Sequence, residues 1–119
     1  MMAKKRIAVE FGMGTSLRKQ DYTGAAVRAL KDALWHNSLA LTDTFGFKKE
    51  EMLIDIEIGV QRPSLIRIKD LKKILPYGKS TFKVVKGGLD IIKPDGKSST
   101  VIANVAVIIS FNMERVNVR

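Results

Sequence analysis

The sequence predicts an α+β fold, a mixed sheet with helices packed on one face, in the order β-α-β-α-β-β. Three observations carry this. Ile54, Ile56, Ile58 and Val60 alternate with Leu53, Asp55, Glu57 and Gly59, the period of a half-buried strand. Ala26, Val27, Leu30, Ala33 and Leu34 recur at helical spacing. Pro94-Asp95-Gly96-Lys97 separates two apolar runs as a hairpin turn does. Strands and helices in that order build a sheet with one helix layer.

The 119 residues are expected to form a single domain, residues 1–119, with enough apolar content (45%) for a real core. No apolar run approaches the roughly 20 residues of a membrane span. The start, Met1-Met2-Ala3-Lys4-Lys5-Arg6, is basic but is not followed by an apolar signal core. A cytoplasmic protein with no membrane partner is therefore expected. With no cysteine, disulfides, thiol catalysis and thiolate metal sites are excluded. A single histidine argues against zinc. Neither a metal nor a cofactor is expected.

The net charge of +9 is uneven. Residues 1–60 hold nine Lys and Arg against eight Asp and Glu, and residues 61–119 hold twelve against four. Such a balance favours anionic partners, although a charged outer surface also keeps a protein soluble.

Each element follows from its local pattern. Residues 6–11 read as the first strand, with Ile7, Val9 and Phe11 on one face and Ala8 and Glu10 on the other. Glu10 is a solvated or paired carboxylate, or one beside a ligand loop. Residues 23–37 read as a helix, capped at its start by Asp21 or Thr23 and stopped at Asn37. His36, the sole histidine, sits in its last turn, where the helix dipole favours it; a catalytic role is the lesser alternative. Residues 38–51 read as a connector in which Phe45 and Phe47 pin the loop to the core or, alternatively, line a pocket or a subunit contact.

Residues 52–60 are the clearest strand. Asp55 and Glu57 share its polar face, as an acid–base pair or metal ligands, or as a solvated face or partners of lysines on a neighbouring strand. Residues 68–75 read as a short helix with Ile68, Leu71, Ile74 and Leu75 inward and Lys69, Lys72 and Lys73 outward. The lysines lack the interleaved aromatic residues that stack on bases. Residues 80–92 read as a strand bent at Gly87-Gly88. Residues 99–111 form a long last strand, apolar on both faces, and therefore central or at an oligomer interface.

The most informative stretch is Val9-Glu10-Phe11-Gly12-Met13-Gly14-Thr15-Ser16-Leu17-Arg18-Lys19-Gln20-Asp21. An apolar strand meets two glycines, then hydroxyls and cations, then a helix start. A dinucleotide fingerprint needs a third glycine where Leu17 stands, and a Walker loop needs Gly-Lys-Ser/Thr at the helix. Neither is present. The plain reading of the glycines is a turn where side chains do not fit. The functional reading is an anion site of Gly12, Gly14, Thr15, Ser16, Arg18, Lys19 and Asp21.

The segment 7–39, with its glycine pair, loop and Ala-rich helix ending in Asn37-Ser38-Leu39, resembles a family of short conserved proteins of unknown function. Those proteins carry a G-x-G-x-D-x-H-G motif near the N-terminus. The glycines fall on Gly12 and Gly14, the Asp on Ser16, the His on Arg18 and the last Gly on Lys19. A hydroxyl and a cation replace the acid–base pair, which turns the expectation from proton chemistry towards binding.

The element order also resembles the small fold of bacterial monofunctional chorismate mutases. That resemblance implies a homotrimer with sites between subunits and arginines that stabilise an anionic transition state. The candidates here are Arg6, Arg18, Arg28, Arg62, Arg67 and Arg115, before the terminal Arg119. A shared fold carries no reaction with it. The expected function is small-anion binding at a subunit boundary, with enzyme activity left open. The alternatives are a module for nucleic acid or an acidic partner, using the basic second half, and a relative that keeps the fold without a site.

Overall fold

The computed structural model describes residues 2–17, 19–34, 48–75 and 78–114. Arg18, Trp35, His36 and the Phe45-Gly46-Phe47 connector lie outside the described residues. The described chain runs β1 (Met2–Ser16), α1 (Tyr22–Leu34), β2 (Leu53–Val60), α2 (Ile68–Lys72), β3 (Lys79–Lys86), β4 (Leu89–Ile92) and β5 (Ser99–Glu114). The fold is α+β and the sheet is mixed. Its strand order is β1-β5-β2-β3, with β4 also beside β5. β5 is antiparallel to β1, β2 and β4, whereas β2 and β3 run parallel.

The core lies between one sheet face and α1. Val101, Ala103, Val105, Val107, Ile109 and Phe111 of β5 are buried, as are Ile54, Ile56, Ile58 and Val60 of β2. Ala25, Ala26, Ala29, Leu30 and Ala33 of α1 lie on them, and Leu71 and Leu75 close one side. Each large aliphatic side chain buried this way contributes roughly 1.5–3 kcal/mol. Among the described residues no helix is long and apolar enough to cross a membrane.

β1 is longer than its sequence pattern suggests. It runs through both glycines, and its pairing with β5 continues to Ser16 opposite Val101. A Cβ on Gly12 would lie 2.1 Å from the Ala29 carbonyl oxygen, and one on Gly14 2.2 Å from that of Ala25. The glycines therefore mark the place where the backbone of α1 rests on the strand, rather than the end of that strand.

The bend at Gly87-Gly88 transfers the chain from one partner strand to another. β3 pairs with β2, and β4 then pairs with β5 beyond the end of β2. Gly88 has φ of 61°, and a Cβ there would lie 2.1 Å from the Ile102 carbonyl oxygen. Gln61 holds the bend, donating from Nε2 to the carbonyls of Gly87 at 3.1 Å and Gly88 at 3.2 Å. The β4–β5 hairpin closes with Ile92 opposite Ser99, and Gly96 takes the left-handed conformation, φ 71°.

A candidate anion cleft at the β1–α1 junction

The chain leaves the sheet at Ser16 and enters α1 at Tyr22. Two hydrogen bonds fix this return. The Asp21 amide donates to Ser16 Oγ at 3.0 Å, and the Gly24 amide donates to Asp21 Oδ1 at 3.0 Å. Asp21 is thus the N-cap, and its carbonyl accepts the first helical bond from the Ala25 amide. Gln20 makes the tight turn with φ of 48°. Its Oε1 accepts from the Ser99 amide at 3.4 Å, tying the loop to β5.

The helix also covers the outer edge of β1. Asp32 Oδ2 accepts from the Met13 amide at 3.0 Å, and Arg28 donates to the Thr15 carbonyl at 2.5 Å. These contacts satisfy main-chain groups that an edge strand otherwise offers to another strand. They also place the Arg28 guanidinium beside the loop.

The result is an open cleft of about 450 Å³ lined by Thr15, Ser16, Leu17, Lys19, Asp21 and Arg28. Of the residues singled out from sequence, Thr15, Ser16, Lys19 and Asp21 line it together. Gly12 and Gly14 face α1 instead. Leu17 was not singled out, and Arg28 was named only among the arginines of the chorismate-mutase resemblance. Arg28 had a legible signal, because it follows Asp21 by about two helical turns and so stands on the same side of α1. Asp21 and Ser16 have structural partners already. The groups with donor capacity towards a ligand are the Lys19 ammonium, the remaining guanidinium N–H groups of Arg28, the Thr15 hydroxyl and the O–H of Ser16, whose oxygen only accepts from the Asp21 amide.

Other polar groups are engaged elsewhere. Tyr22 is buried and its hydroxyl donates to Asp90 Oδ2. Burial, and then this hydrogen bond, raise the Tyr22 pKa above the usual 10.0. Asp90 Oδ1 and Glu10 Oε2 are buried and without a hydrogen-bond partner among the described residues. The Asp55 and Glu57 pair is tied across strands, Asp55 to Lys4 at 2.7 Å and to the Thr81 hydroxyl at 2.5 Å, Glu57 to Lys83 at 3.7 Å. The Lys4 hydrogen bond, followed by that of Thr81, holds the Asp55 carboxyl below its usual range. On α2, Asp70 pairs with Arg67 at 2.9 Å and Lys73 at 3.9 Å.

A family model for a conserved hypothetical protein, Lin0512, matches residues 6–109. The chain belongs to the Lin0512 family. The Lin0512 match spans every described residue of the cleft. The chain is also similar to a solved structure from Nostoc punctiforme PCC 73102, an FtsZ-like protein of unknown function. The two are 31% identical with a TM-score of 0.82, over 95% of this chain and 100% of the other. No curated protein sequence matches it.

Proposed function

We propose that this Lin0512-family protein binds a small anion, a carboxylate or a phosphate, in the β1–α1 cleft and works as a homo-oligomer. The observation that carries the reading is the meeting of Lys19, Arg28 and Thr15 around one open cleft. Two cations and a hydroxyl suit several oxygens of one anion better than they suit a proton relay. Arg18, next to Lys19 in the sequence, is a further donor candidate of this reading.

The mixed sheet with a single helix layer supports the assembly implied by the chorismate-mutase resemblance, a homotrimer with the cleft at a subunit boundary. A thermal-shift screen of carboxylates and phosphates tests the ligand. The expected result is a rise in Tm with at least one anion that disappears in Lys19→Ala. No shift with any anion, or an equal shift in the variant, overturns the reading.

A further inference from the structure

The sheet face turned away from α1 has an uncharged part made by β1, β5 and β4. Strand pairing places Thr15, Ile102 and Leu89 in one row across the three strands. Around that row Phe11, Met13, Leu89 and Ile91 are 69, 57, 57 and 51% exposed. Positions 9–15 of β1, 100–108 of β5 and 89–91 of β4 that face this way include no Asp, Glu, Lys or Arg. In a chain that is 28% charged, this is a segregated surface.

We infer that a second copy of this chain docks on this surface. The four exposed side chains alone present on the order of 400–500 Å² of apolar area, the size at which a patch marks an interaction site. Half-buried Val9, Ile102 and Ile108 and the exposed Leu17 extend it towards the roughly 800 Å² per partner of a stable interface. Charge decides the occupant. A strongly acidic or basic partner finds nothing to pair with here, whereas the same face of another copy is equally apolar and uncharged. The charged part of this face, with its Lys4–Asp55 and Lys83–Glu57 pairs, lies on β2, β3 and the first residues of β1.

The surface is continuous with the cleft. Thr15 belongs to both, and Leu17 lies at their boundary. A copy docked there lies against the Thr15 side of the cleft. The inference deepens the oligomeric part of the proposed function and needs no ligand.

Sedimentation velocity in buffer free of phosphate and carboxylates tests it, with wild type, the double variant Phe11→Ser/Met13→Ser, and Lys19→Ala. Wild type and Lys19→Ala are expected to sediment as a multiple of the 13.3 kDa chain at tens of micromolar. The double variant is expected at the monomer mass with an unchanged circular dichroism spectrum. A monomeric wild type, or a double variant that stays associated, overturns the inference. A Lys19→Ala protein that associates normally while wild type shows no anion response leaves the interface standing and removes the ligand.

Discussion

Gly14 and Ala25 meet with backbone against backbone. A Cβ on Gly14 would lie 2.2 Å from the Ala25 carbonyl oxygen and 2.3 Å from the Ala29 amide nitrogen. The glycines of β1 and the alanines of α1 are therefore two halves of one contact, which brings the helix start down onto the strand. Gly14→Ala pushes α1 off β1. We expect a loss of about 3 kcal/mol, the upper range for forcing atoms into a packed core, seen as a lower urea midpoint. Thr15→Ala, one residue on and facing away from α1, is expected to leave the midpoint within about 0.5 kcal/mol of wild type.

Tyr22→Phe removes the donor to Asp90, whose other carboxyl oxygen already lacks a partner among the described residues. The variant is expected to lose about 1–3 kcal/mol, the cost of leaving a buried polar group unsatisfied. In wild type, ultraviolet titration is expected to show a tyrosine ionising above 10.0, in the direction set by burial. Because the folded value is raised, this contribution is complete below pH 10 and fades as pH rises beyond it.

Asp55 works in the opposite direction. Its carboxyl is held below 3.8 by Lys4 and then Thr81, so the stability it supplies is present above that pH and lost as pH falls below it. Asp55→Asn is expected to cost at most about 1 kcal/mol at neutral pH, since the pair is partly exposed. Urea melts across acid pH are expected to show the gap between wild type and variant closing below about pH 4. High salt narrows the gap at neutral pH as well.

The architecture was legible where periodicity is local. The alternation of Ile54 to Val60, the alanine stripe of α1 and the Pro94-Asp95-Gly96-Lys97 turn each state one element without reference to the rest. The centrality of β5 could be read from its two apolar faces. The extent of β1 could not, because Gly12 and Gly14 break a strand pattern unless the helix that needs them is already in view. The cleft was half legible for the same reason. Thr15, Ser16, Lys19 and Asp21 are neighbours in sequence, but Arg28 joins them only after the turn at Gln20 folds α1 back along β1. The handover of β3 to β4 through Gly87 and Gly88 was legible as a bend, while the clamp from Gln61 is a contact across 26 and 27 residues that no local pattern shows.

The most direct test of the anion cleft is a titration of inorganic phosphate into ¹⁵N-labelled protein, wild type against Lys19→Ala and Arg28→Ala. Saturable shifts are predicted at Thr15, Ser16, Lys19 and the first turn of α1. Affinity should fall at least about tenfold in each variant, as expected when a charge-assisted hydrogen bond is removed. Shifts that scatter over the lysines of α2 and β3, or that persist unchanged in both variants, contradict the account.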